Sequence, residues 1–262
     1  MSPLRPVIIL TGASRGLGLA VLRLLLSTHG ARVATLSRSY PAELKAVHDE
    51  FGEDRVLVVQ GDVGKPEDNE AVVRRTMDRW GRLDGLVMNA GSLDPVGKLA
   101  DVPIDQLIPS VQVNLLSALY LLQPALPHLR REEGNGEGGL GRVVFVSSGA
   151  SATGYQAWGM YSMAKAGMNS LCRTLAAEEA EKGVITWAVR PGLVDMQEAI
   201  RTRGPGIMSD KDMVKFQNAF EKGELLAPEV PGAVIAALAV AGPKELSGEY
   251  LNWADERLQN LS

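Results

Sequence analysis

"ILTGASRGLGLAV", residues 9–21, joins a short apolar run to a glycine-rich turn and then to an amphipathic segment. Gly12, Gly16 and Gly18 follow the run "VIIL" (7–10) and open a helical pattern in which Leu17, Val21, Leu24 and Leu25 recur on one face. Glycine there permits a tight turn and lets the backbone approach a phosphate without a Cβ in the way. Exposed N–H groups and the helix dipole favour the anion. The spacing is G-x-x-x-G-x-G rather than the commoner G-x-G-x-x-G, so the strand–turn–helix context carries the reading. Ser14, Arg15 and Leu17 lie in the same turn.

Outward from this turn, β-branched runs alternate with amphipathic segments. Further strands are expected at 32–37, 56–60, 83–89, 142–148, 185–190 and 249–254, with helices near 16–28, 41–51, 66–80, 105–130, 156–182 and 230–241. Near-continuous apolar strands between helices imply a parallel sheet covered on both faces. Right-handed crossovers then give an α/β fold with a doubly wound, Rossmann-type sheet in one domain spanning 1–262. Residues 131–141 are glycine-rich and charged and read as an exposed connection. Residues 198–228 interrupt the alternation; Ser209 could cap a short helix carrying Met213, Phe216 and Phe220 on one face. This segment reads either as a substrate lid or as a plain surface excursion.

Composition narrows the function classes. Of 262 residues, 22% are charged and 45% hydrophobic, as in a soluble globular protein. A net charge of −4 disfavours nucleic acid as a partner. The single cysteine, Cys172, cannot form an internal disulfide, and three scattered histidines offer no metal spacing, so no metal is expected. No signal peptide and no membrane span are expected, and the cytoplasm is the expected location.

The second strand ends "TLSRS". In an NAD site an acidic residue there would hold the adenosine ribose; here Ser37 and Arg38 stand instead, with Arg15 in the glycine turn. Two guanidiniums suit a ribose 2′-phosphate, so NADP(H) is the expected cofactor. The bland alternative is two solvated surface arginines.

"SSGASATGYQAWGMYSMAK" (147–165) holds Tyr161 with Lys165 four residues on, hence one turn away on the same helical face. An ammonium beside a phenol favours the phenolate, drawing an ordinary pKa of about 10 towards useful acid–base chemistry. Ser148, at the carboxyl end of the fifth strand, could hydrogen-bond a substrate carbonyl. Packing with a snorkelling lysine is the competing reading.

Taken together, "TGASRGLG" (11–18), "GDV" (61–63), "NAG" (89–91), "VNL" (113–115), "VSS" (146–148), "YSMAK" (161–165) and "RPGLV" (190–194) make the chain resemble the short-chain dehydrogenase/reductase family. The likeness covers nearly the whole length. It implies a seven-stranded sheet, a nicotinamide cofactor and a catalytic group of Asn114, Ser148, Tyr161 and Lys165. Tyr161 would be the acid–base, Lys165 would lower its pKa and hold the nicotinamide ribose, Ser148 would orient the carbonyl, and Asn114 would position a water. Asp62 and Val63 would flank the adenine; Asn89, Ala90, Gly91, Pro191, Gly192 and Val194 would line the cofactor's path. A threonine commonly follows "PG" in the family; here "PGLVDMQ" has Met196 near that place.

The ending "SGEYLNWADERL" is similar to the branch with sepiapterin and benzil reductases, where an aspartate anchors pterins; Asp255 is the matching residue. Tyr155, Trp158, Met160, Leu193 and Phe216 are pocket candidates. An NADPH-dependent reductase of a ketone, diketone or aldehyde is the leading expectation. A non-catalytic NADP(H)-binding sensor on the same fold is the alternative. A homodimer or homotetramer is expected through the helices near 105–130 and 156–182.

Overall fold

Val7–Thr11 (β1) is buried at every position, which requires a strand paired on both edges and covered on both faces. The computed structural model, which describes residues 5–130, 140–194 and 197–261, shows this arrangement. Arg32–Ser37 (β2), Val56–Gln60 (β3), Gly85–Met88 (β4), Gly141–Val146 (β5), Val184–Arg190 (β6) and Tyr250–Asn252 (β7) join β1 in one sheet. The order is β3-β2-β1-β4-β5-β6-β7 and every pairing is parallel. The chain therefore winds first one way from β1 and then the other. The crevice between β1 and β4, outside their carboxyl ends, is where a ligand belongs.

Two apolar layers hold the sheet. On one face Gly16–Ser27 (α1), Ala42–Phe51 (α2) and Glu229–Ala241 (α9) enclose Leu17, Val21, Leu25, Leu44, Val234 and Ile235. On the other, Pro66–Trp80 (α3), Ser117–Leu129 (α5) and Gly159–Glu179 (α6) enclose Val72, Leu121, Ala125, Met168, Cys172 and Leu175. Cys172 is buried core filling.

Two expected helices differ in ways that matter for the site. The segment expected at 105–130 is interrupted: Leu107–Val111 (α4) passes through a π-helical turn, Gln112–Leu116, before α5. Asn114 lies in that turn with its side chain tied to other backbone, which competes with the regular ladder. The helix expected from 156 begins at Gly159, because Ala157 has φ +71 and breaks the helical path.

The segment 198–228 folds as Gln197–Arg203 (α7) and Asp210–Glu221 (α8). Ser209 caps α8 as expected, its Oγ accepting from Asp212 N at 3.2 Å. Phe216 is buried, whereas Phe220, one turn further on, is 48% exposed and lies under the Arg201 guanidinium at 3.8 Å.

Candidate active site

The glycine turn is fixed by close approaches that leave no space for side chains. Gly12 has φ +73, and a Cβ on Gly18 would lie 2.1 Å from the Gly12 carbonyl oxygen. Asn89, expected along the cofactor's path, braces the turn: Nδ2 donates to the carbonyl oxygens of Thr11 and Gly12 at 3.0 and 3.1 Å. Thr11 Oγ1 accepts from the N–H groups of Asn89 and Ala90. Ser37 is buried and accepts from Ala13 N at 3.0 Å, so its hydroxyl is engaged in shaping the same turn. Arg15 and Arg38 are exposed, Arg38 directly after β2 and Arg15 at the start of α1, whose first turn carries no acidic residue. Asp62 accepts from Gly64 N at 2.9 Å and Val63 is buried in the core, so this pair forms the turn after β3.

Across the crevice, α6 brings Tyr161 and Lys165 to one face, both nearly inaccessible at 4% and 2% exposed. Lys165 Nζ lies 5.7 Å from the Tyr161 ring centre and donates to the Val146 carbonyl oxygen at 2.8 Å. Ser148 stands two residues beyond β5, where it caps the short Gly149–Ser151 turn by accepting from Ala150 N. Its side chain also hydrogen-bonds Tyr161. Asn114 Oδ1 accepts from Ser92 N at 2.9 Å and Nδ2 donates to the Ser110 carbonyl at 3.1 Å. A Cβ on Gly91 would lie 3.1 Å from Asn114 Oδ1 and 3.6 Å from Lys165 Nζ, so all three meet at one point.

The electrostatics differ from the sequence expectation. Burial pushes the Tyr161 phenol up to about 12, and the Ser148 hydrogen bond offsets only part of this. Burial also pulls the Lys165 ammonium down to about 8. In an enclosed apolar site both groups favour their neutral forms, and desolvation outweighs the attraction expected between ammonium and phenolate.

An aromatic wall closes the site. Trp158 meets Tyr161 edge-on at 6.2 Å and stacks on Phe216 of α8 at 5.4 Å, with Tyr155 4.8 Å from Trp158. Leu93, Ala150, Ile200, Met208 and, in part, Leu193 and Met213 complete this third apolar cluster. Met160, a pocket candidate, is buried but lies outside it.

A short chain dehydrogenase family model matches residues 6–204. A benzil reductase ((S)-benzoin forming) of Saccharomyces cerevisiae is 35% identical over 260 residues, covering 96% of this chain and 97% of that protein. The chain belongs to the short-chain dehydrogenase family. A Bacillus cereus benzil reductase ((S)-benzoin forming) is 31% identical over 240 residues, covering 88% of this chain and 92% of that protein. Among solved structures, a short chain dehydrogenase/reductase of S. cerevisiae superposes with a TM-score of 0.89 at 34% identity, covering 98% of this chain and 99% of the other.

The nicotinamide cofactor of short-chain dehydrogenases fits what is present here. The turn is stripped of Cβ atoms where a pyrophosphate would approach, and the start of α1 carries no carboxylate to repel it. Gly192, at φ +79, packs against Leu226 and Trp253, which fixes the loop after β6. Pro191 and Val194 are in that loop; Asp195 and Met196 lie outside the described residues.

Asp255 of this short-chain dehydrogenase accepts from the Arg257 guanidinium at 3.0 Å, which holds its carboxyl below the usual range. Two features were not legible beforehand. Tyr250 donates from its hydroxyl to the Ser148 carbonyl oxygen at 2.9 Å, anchoring the turn from β7. Asp94 and Arg203 form an ion pair between the loop after β4 and α7. Burial pushes the Asp94 carboxyl up, but hydrogen bonds from Arg203 and Ser92 bring it below its usual value. The pair borders a cavity of about 410 Å³ lined also by Val96, Val102, Gln106 and Ile207.

Proposed function

We propose that this short-chain dehydrogenase is an NADPH-dependent carbonyl reductase, acting on ketones, vicinal diketones or aldehydes. The observation that carries the reading is the convergence of Ser148, Tyr161 and Lys165 at the strand ends, beneath an aromatic wall. The names of the two benzil reductases support the diketone part.

The glycine turn (Gly12, Ser14, Arg15, Gly16, Leu17, Gly18), Asp62, Val63, Asn89 to Gly91, Lys165, Pro191, Gly192 and Val194 would hold the cofactor. Arg38, aided by Arg15, would pair with the 2′-phosphate. When bound, the cofactor supplies a hydride to the carbonyl carbon. The Ser148 and Tyr161 hydroxyls donate to the carbonyl oxygen and stabilise the charge that grows there. Tyr161 then transfers its proton to that oxygen, and its raised pKa keeps the proton available through neutral pH. Lys165 steadies the resulting phenolate, and Asn114 braces Ser92 and the π turn beside it. The α7–α8 lid excludes water.

The test is NADPH oxidation across a panel of ketones, aldehydes and diketones, with Tyr161→Phe as control. Turnover by the wild type and a loss of about 10²- to 10⁴-fold in the variant are expected. NADPH binding without turnover of any compound would instead favour the sensor.

We also propose a second copy of this chain as a partner. Ile104, Ile108, Leu119 and Met163 are 84%, 65%, 37% and 50% exposed on or beside α4, α5 and α6, a concentration of apolar surface that association would cover. Light scattering should give a dimer or tetramer.

A further inference from the structure

The aromatic wall beside Tyr161 holds a polar atom that the fold does not satisfy. Trp158 is 5% exposed, and its indole Nε1 is buried with no acceptor among the described residues. A buried donor in that condition is costly and uncommon, and it calls for a physical reason. Trp187 Nε1 is also unpartnered, but it lies deep in the core, its ring against Gly242. Trp158 alone of the two borders the reacting group.

Its backbone is held in place at a cost as well. Ala157, the preceding residue, sits in the left-handed region at φ +71. The Ala157 carbonyl accepts from Gly97 N at 3.0 Å, and Gly97 and Trp158 form an isolated parallel bridge. The indole is thereby fixed on one side against Tyr161, with ring planes at 90°, while Phe216 of the lid covers a face at 15°. One ring thus touches both the catalytic tyrosine and α8.

A vicinal diketone presents two acceptor oxygens on adjacent carbons. Ser148 and Tyr161 account for one of them. We propose that Trp158 is the specificity-determining residue of the substrate pocket: its indole N–H donates to the second oxygen and so selects vicinal diketones over simple ketones. The proposal rests on the carbonyl-reductase reading above. The second oxygen approaches in the plane of the indole, at its Nε1 edge rather than over the face that Phe216 covers, and the orphaned donor gains its acceptor.

The experiment compares benzil with deoxybenzoin, which keeps both phenyl rings and replaces one carbonyl by a methylene. In Trp158→Phe the aromatic wall remains and the N–H is lost. The expected result is a fall of about three- to tenfold in kcat/KM for benzil, with deoxybenzoin changed by less than about twofold. Trp158→His, which restores a ring N–H, should recover part of the benzil preference. Should the Phe variant not fold, Trp158→Met makes the same comparison. Equal losses on both compounds, or no loss on benzil, overturn the assignment of Trp158 and leave the reductase reading standing. Wild-type protein that reduces neither compound overturns the diketone selection; only the absence of turnover across the whole carbonyl panel overturns the reductase reading as well.

Discussion

Lys165 Nζ donates to the carbonyl oxygen of Val146 across 2.8 Å, tying the fifth strand to the catalytic helix one turn from Tyr161. Both ends of this contact are buried, and the lysine has lost its water without gaining a carboxylate. Its folded-state pKa of about 8 lies below the ordinary 10.5. Between those values the unfolded chain binds a proton that the folded chain has released, so this group makes the fold more stable as pH rises. Tyr161 works in the opposite sense from its ordinary 10.0 to about 12, where the folded chain keeps a proton that the unfolded chain loses. Lys165→Met should remove the first effect. Urea unfolding of the two proteins at pH 8 and near pH 10, values set by those ordinary pKa values, measures it; an equal pH response in both would contradict the account.

Activity carries a separate pH signature. Reduction needs the phenol and reversal needs the phenolate. Ketone reduction should therefore stay level across neutral pH, while oxidation of the product alcohol with NADP⁺ should climb into the alkaline range. Initial rates in both directions over one pH series test this; an alcohol oxidation rate that is independent of pH would argue against Tyr161 as the proton carrier.

Arg38→Ala should weaken NADPH far more than NADH. Losing charge-assisted contacts to a phosphate corresponds to about ten- to a hundredfold in KM, with little change for the cofactor that lacks it. Steady-state kinetics with each cofactor give the comparison. Equal losses would place the arginine outside the cofactor site.

Gly18→Ala would drive a methyl group to within 2.1 Å of the Gly12 carbonyl oxygen. Backbone cannot yield as a flexible side chain can, so a destabilisation of about 1–3 kcal/mol or more is expected. Thermal unfolding and NADPH binding should both suffer. By contrast Gly30, which has nothing within reach of a Cβ but φ +62, is strained only through its backbone.

Arg203→Ala tests the lid. Its pair with Asp94 is half exposed, so overall stability should change by no more than about 1 kcal/mol. Limited proteolysis within 204–228 should nevertheless accelerate, because the pair joins α7 to the loop opposite. Unchanged cleavage would mean that the apolar packing of Phe216 and Met208 alone keeps the lid down.

What the sequence made legible were the features written in local spacing. The glycines after β1 and the Tyr161–Lys165 interval report directly on a turn and a helical face, and alternating apolar runs report the sheet. What remained hidden depends on residues far apart in the chain. The Asp94–Arg203 pair spans 109 positions, and the role of Ser37 in holding Ala13 spans 24. No periodic signal encodes either. The burial of Phe216 and the exposure of Phe220, one turn apart on α8, are likewise hidden, because only packing shows that Arg201 offers the second ring a cationic partner outside the core. The direction of the Tyr161 pKa is hidden for a related reason: spacing shows that an ammonium is near, but only packing shows how thoroughly water is removed.

The wide turn at Gln112–Leu116 bears on how this protein's descent can be read. Such a turn accommodates one residue more than the regular coil around it, and Asn114, whose side chain bonds backbone on either side of it, helps to hold it open. A lineage that kept the nucleotide but gave up the chemistry would be free to delete that surplus position and recover an unbroken helix. Chain length at this single bend, together with the asparagine it carries, is therefore a feature by which working enzymes and their silent cousins would part company.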